Sequence, residues 1–309
     1  MSLLKTLTAA AFLLAMTSAI PVSLHHAHHD HDQDTPHNYH DHEKRGNTCS
    51  FPSDEDIVKL STTDDGWAQD GACESGKFCQ YACPPGKLMG QWNPKVTSYT
   101  YPGSQDGGVY CNNGKLEKKN KDNDYCYDGK GTAKVNNKAD GSVAFCQTVL
   151  PGSESMLIPT EVGSGSSQTL AVPGTDYWSS SAAHYYINPP GVSADEGCVW
   201  GSTSNPYGNW APYVAGFNMD DDGKTYGKIG WNPIYFEDSS PFSDDKPKFG
   251  IKMSCKDDSK CSGDSCEINP KDIGLNKVSN GGNGKSDGAA YCVLSASDSS
   301  DIVIEVFDT

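Results

Sequence analysis

Between residues 178 and 232 the chain carries Trp178, Tyr185, Tyr186, Trp200, Tyr207, Trp210, Tyr213 and Trp231, interleaved with Asn188, Asn205, Asn209, Asn218 and Asn232. Rings and amides in that company suit one chemistry in particular. A sugar presents an apolar face of C–H groups and a fringe of hydroxyls; aromatic side chains cover the first, and Asn, Asp or Glu answer the second. The competing reading is that half of these rings are core, because aromatic side chains dominate interiors too. Trp178, Trp200, Tyr207, Trp210 and Trp231 are the candidate substrate-binding residues. Cutting a glycosidic bond would further require two carboxyl groups, an acid and either a nucleophile or a base. Glu196 is the first choice for the acid, since it stands beside Cys198 among rings that would desolvate it. Glu154, Asp128, Asp176 and Asp220 are candidate partners, each also readable as a solvated turn residue.

Other chemistries fail on inspection. Gly284-Lys285-Ser286-Asp287-Gly288 spells G-x-S-x-G, but in a glycine loop with no strand before it and no helix after it. Ser279 stands where the first glycine of a phosphate loop belongs. The run from Asn218 to Gly223 opens like a calcium-binding loop, yet Ile229 occupies the position of the bidentate glutamate, so a hairpin turn is expected there. His184 sits in a strand-like SAAHYYIN and reads as hydrogen-bonded structure, with no nucleophile elbow to serve. The twelve cysteines, all after residue 48, read as disulfides ahead of a metal site, because the clusters lack the tight C-x2-C spacing of zinc ligands. No cofactor and no metal are expected. The net charge is −16, and Arg45 is the only arginine. Such a chain has little with which to grip phosphates, so nucleic acid and anionic membrane are poor partners while a neutral polymer suits it.

The elements that must hold these residues read as short strands. The 32 glycines and 18 prolines fall in turn signals such as PPG, DGG, NNG and DDDG, which leave little room for helices. Between them lie Thr97–Tyr101, Ser142–Val149, Ser155–Pro159, Gln168–Val172, His184–Ile187, Gly227–Trp231, Phe249–Met253, Ala289–Ser295 and Asp301–Phe307. This rhythm predicts an all-β, disulfide-rich β-sandwich or barrel-like single domain with little helix. One helix is expected over Asp54–Ser61, capped by Ser53, and residues 188–226 and 254–288 are expected to be long ordered loops.

The N-terminus sets the compartment. Residues 1–19 combine Lys5, an apolar run and a small-residue exit, the pattern of a secretory signal peptide. Residues 20–45 hold eight of the nine histidines and close on Lys44-Arg45, a dibasic processing site, so 20–45 reads as a pro-segment and 46–309 as the working domain. Removing three basic and five acidic side chains with residues 1–45 leaves a net charge of −14.

The blocks QTLAVPGTDYWSSSAAHYYINPPGVSADEGCVWGS, GNWAPYVAGFN and KIGWNPIY, with FCQYACPPGKLMGQWNPKVTSYTYPGSQDGGVYC, YCYDGKG, FCQTVLPGSESMLIPT and AAYCVLSA, resemble the fungal SUN family of cell-wall proteins along residues 67–295. The resemblance implies a secreted or wall-associated protein of β-glucosidase or β-1,3-glucanase type, whose partner is wall β-glucan during remodelling and cell separation. A non-catalytic glucan-binding wall protein is the alternative. The processing site carries its own test: the secreted protein should begin at Gly46, and mass spectrometry that finds residues 25–42 retained would contradict it.

Overall fold

The computed structural model describes residues 48–53, 56–98, 106–149, 151–201, 204–297 and 299–309. The signal and pro-segment, and Tyr99–Tyr101 of the first expected strand, lie outside them. Among the described residues the regular structure is strands, a few 3-10 turns and one four-residue helix, α1 (Ala194–Gly197).

Residues 48–128 form a small module. β1 (Phe78–Cys79), β3 (Val109–Asn112) and β4 (Lys115–Glu117) make one sheet, and β2 (Lys87–Met89) pairs with β5 (Cys126–Asp128). Strands this short bury little by themselves. Disulfides Cys49–Cys111, Cys73–Cys79 and Cys83–Cys126 staple them around Trp67, Tyr81 and Val109.

Beyond residue 132 the chain builds a sandwich of two sheets, with no closed barrel. The larger runs β14 (Cys261–Ser262), β17 (Ala289–Ala296), β12 (Thr225–Trp231), β11 (Tyr213–Met219), β10 (Ala183–Ile187), β7 (Val143–Thr148), β8 (Leu157–Val162), with β16 (Lys285–Ser286) also on β17. The smaller runs β15 (Cys266–Ile268), β13 (Phe249–Cys255), β18 (Ile302–Asp308), β6 (Ala133–Asn137), β9 (Ser167–Leu170). Side chains alternate across a strand, so Ile302, Ile304 and Val306 of β18 face inward while Val303, Glu305 and Phe307 face out. The core between the sheets is strongly aromatic: Phe145, Tyr185, Tyr213, Phe217, Trp231 and Phe249.

Two expectations need correction. Residues 56–61 are extended, because Val58 N–H donates to Ala82 C=O at 2.8 Å and Leu60 is buried with Ala68, Ala82, Val149 and Ile158. The supposed loop 188–226 contains the whole of β11, and 254–288 contains β14, β15 and β16.

The segment from Asn188 to Ala211 crosses the outer face of β7, β10 and β11, where Ala144, Tyr186, Cys198, Ala211 and Val214 form a second apolar cluster. It is held by Cys146–Cys198 and by buried asparagines. Asn188 accepts from Gly208 N–H at 3.0 Å, and Asn209 accepts from Gly201 N–H at 2.7 Å. Gly208 has φ of +57°, and a Cβ there would lie 1.9 Å from the Val199 oxygen, so only glycine fits this crossing.

The twelve cysteines form six bridges. Replacing Cys146 and Cys198 together by alanine should release the crossing segment while the inter-sheet core persists. Chemical denaturation should register a loss of about 2–4 kcal/mol; an unchanged midpoint would show the asparagine braces to be sufficient.

Candidate functional site

The chain leaves the core at Trp231, whose indole N–H donates to Lys277 C=O at 2.9 Å. Asn232 then donates to the carbonyls of Asn209 and Ala211, both at 2.7 Å, and accepts from Ile234 N–H to open a 3-10 turn over Pro233–Phe236. That turn delivers Phe236, Glu237 and Asp238 to one bank of an open groove of about 670 Å³. The opposite bank is the turn between β16 and β17, where Asp287 and Gly288 take φ of +50° and +80°, the positive values a two-residue hairpin demands. Asn276 pins this turn by donating to Gly288 C=O and accepting from Ala290 N–H, both at 2.8 Å.

Three carboxylates therefore line one groove, Glu237 and Asp238 beside Phe236 and Asp287 across from them. Partial burial pushes the Glu237 carboxyl up from the usual carboxylate range. Asp287 accepts from the Ser286 hydroxyl at 3.1 Å. Its charge also reaches Lys228 on the outer face of β12. Burial brings the Lys228 ammonium down to about 8, partly offset by Asp287, and the ammonium rests 4.4 Å from the centre of the Tyr291 ring. A second cavity, between module and sandwich, is lined by Lys87, Gln147 and Tyr177. At about 10 Å³ it holds no more than a water.

The residues singled out from sequence are scattered. Glu196 lies on α1, capped by Ser193, and is exposed rather than enclosed by rings, because Cys198 carries the helix on the outside of the segment it staples. Asp128 and Asp176 stand in solvent, paired at 3.2 Å with Lys87 and Lys130 respectively. Asp220 caps the β11–β12 turn by accepting from Asp222 and Lys224 N–H, the hairpin expected there. Glu154 is half-buried in the β7–β8 turn, and desolvation pushes its carboxyl up, the property sought in an acid. None of these five lines the groove.

The rings divide cleanly. Trp178, 3% exposed, packs with Leu88, Ala171 and Tyr177, and Trp231, 1% exposed, sits between the sheets. Neither can lie against a sugar, because both faces are covered by protein. Tyr207 and Trp210 are half-buried, with Trp210 edge-on to Phe242 at 6.3 Å. Trp200, half exposed, stands out as the large apolar side chain open to solvent. Sequence reasoning missed Phe236, Glu237, Asp238 and Asp287. The run PIYFED offered a signal, an aromatic beside two carboxylates, and Asp287 lay in the loop set aside as a failed elbow.

Fold and groove together define a disulfide-stapled, all-β sandwich protein with an open acidic groove. Residues 44–294 match the family model described as beta-glucosidase (SUN family). The chain belongs to the SUN family. It is similar to the uncharacterized protein YMR244W of Saccharomyces cerevisiae, at 55% identity over 89% of this chain and 80% of that protein. The probable secreted beta-glucosidase adg3 of Schizosaccharomyces pombe is 50% identical over 80% of this chain, and the probable secreted beta-glucosidase UTH1 of S. cerevisiae 40% identical over 70%. The match spans only 22% of adg3 and 60% of UTH1. Among the described residues no helix is long and apolar enough to cross a membrane.

His184, on the outer face of β10, makes an edge-on ring contact with Tyr186 in place of the expected hydrogen bond. Burial and then nearby Lys228 depress its imidazolium to about 4. The folded protein thus binds fewer protons than the unfolded chain below the ordinary histidine pKa of about 6.5. The resulting stabilisation is complete above that pH and is lost as the pH falls through about 4. His184→Gln should flatten this loss by roughly 3 kcal/mol, measured by urea denaturation at pH 7 and pH 3.5. An acid sensitivity identical to wild type would contradict it.

Proposed function

We propose that this chain is a secreted, wall-associated glycoside hydrolase acting on β-glucan, in particular β-1,3-linked glucose polymers, during wall remodelling and cell separation. One observation carries the reading: carboxylates on both banks of one open groove, with a ring beside them and one carboxyl pushed up by burial. In this reading Glu237 donates the proton to the departing sugar oxygen, since it is the groove carboxyl held protonated to higher pH. Asp287 on the far bank is the second carboxylate, and Phe236 offers its ring to the C–H face of a sugar. The groove is open along its length, which suits a polymer that passes through. The family description and the relatives' names, probable secreted beta-glucosidases, support the reaction class and the compartment.

The second reading, a glucan-binding protein that cuts nothing, is favoured by Trp200, whose ring stands in solvent away from any carboxylate pair.

Incubation with laminari-oligosaccharides followed by product analysis separates the two. Glu237→Gln should lower hydrolysis by about 10²–10⁴-fold with the fold intact, the usual contribution of a positioned proton donor. Trp200→Ala should weaken binding to insoluble glucan and leave the melting temperature unchanged. Normal cutting by Glu237→Gln would remove Glu237 from the acid's role. Wild-type protein that binds but releases no product would leave the binding reading standing.

A further inference from the structure

The outer face of the larger sheet holds side chains that the groove does not use. His184 on β10, Gly216 on β11 and Lys228 on β12 lie directly opposite one another in register. Gly216 carries no side chain, so two polar side chains flank a gap whose floor is bare backbone. Asn218, two residues along β11 and therefore on the same face, closes one end of this gap. Tyr186 and Tyr291, one row back on β10 and β17, stand at the other. Gly230 keeps that row open: a Cβ there would lie 2.9 Å from Cβ of Tyr291.

Polar groups at half-buried positions ordinarily find hydrogen bonds. Among the described residues the His184 imidazole, the Asn218 amide and the Lys228 ammonium have none, and Oδ1 of Asn218 is buried without a partner. Three adjacent strands thus hold unused donors and acceptors around one depression. An unpaired buried acceptor lowers stability, so packing alone gives no reason to keep one.

We propose that this trough binds one ring of a neutral glucan chain, as a subsite beside the acidic groove. The proposal rests on the glucan reading of that groove. A sugar ring can lie on the backbone at Gly216, where any side chain would lift it. Its hydroxyls meet an ammonium donor from Lys228, an acceptor from Asn218 and either function from the neutral imidazole of His184, while the two tyrosines cover C–H edges. A phosphate or uronate would find a single ammonium, no arginine, and the carboxylate of Asp287 close by, so a neutral ring is the better complement. Lys228, whose charge is coupled to Asp287, links trough to groove.

The test is calorimetric titration of wild type, Asn218→Leu and Lys228→Met with laminarihexaose, alongside proton NMR of the His184 ring. His184 is the single histidine after residue 42, so its signal stands apart from those of the N-terminal tract. Each substitution should weaken binding by about tenfold or more, a loss on the scale of one hydrogen bond. Asn218→Leu should hold or raise the melting temperature, and the His184 resonance should move on saturation. Unchanged affinity in both variants with a still His184 signal would overturn the trough and leave the groove reading intact. Weaker binding that tracks a lower melting temperature in both would assign these residues to structure, overturning the trough likewise. A wild type that takes up no laminarihexaose would overturn the glucan reading beneath it.

Discussion

Tyr213 is where the two sheets are fastened together. Its hydroxyl donates across the sandwich to Phe249 C=O at 2.8 Å, and its ring lies 5.0 Å from Trp231 and 4.8 Å from Phe249. Sheets packed face to face need bulky side chains to fill the space between them, and here three rings fill it with one hydrogen bond fixing their order. Trp231 is locked in consequence. Its indole N–H holds Lys277, whose neighbour Asn276 holds the β16–β17 turn, while Asn232, next along the chain, sets the turn that carries Glu237. Both banks of the groove thus hang from one buried tryptophan. The ring that looked like a sugar platform supports the site from beneath.

The same economy governs the polar residues. Asn188, Asn209 and Asn232, spaced among aromatics in the sequence, bond backbone rather than ligand and act as cross-links in the segment over the larger sheet. With helices nearly absent, backbone groups in loops must find partners one at a time. Side-chain amides offer a donor and an acceptor together, which suits them to that task. Disulfides supply the coarser restraint, above all in the N-terminal module, where the strands are too short to hold their own register.

What could be read in advance follows from where the forces are local. Strands β10, β12, β17 and β18 were legible because turn residues bound them and their apolar positions recur with the pleat. β11, YVAGFNM, was not: six of its seven residues are buried, since the crossing segment covers its outer face, and the alternation that marks a strand is lost. Residues 56–61 carried a helix pattern that a bridge to Ala82 overrides. The site was less legible for the same reason. Glu237 is set apart from the other carboxylates by a loop some forty residues further along the chain, and nothing near Glu237 records that neighbour. Glu196 had the right local company, yet the disulfide turned it outward. Cysteine count gave the bridges; only the fold could give their partners.

Strand β18 has a consequence for how the molecule is made. It lies between β13 and β6, and its pairing with β6 is parallel, Ile302 opposite Ala133. β6 therefore emerges early in synthesis and waits for a neighbour encoded far downstream. At roughly 5–20 residues per second the wait is on the order of ten seconds or longer, and non-local pairing of this kind is intrinsically slow. Throughout it β6 presents an unpaired edge. The N-terminal module, whose bridges all close within residues 49–126, can be oxidised meanwhile. The sandwich cannot close around its core until β18 arrives, so its assembly is a single late event, after most of the chain has crossed into the oxidising compartment that its cysteines require.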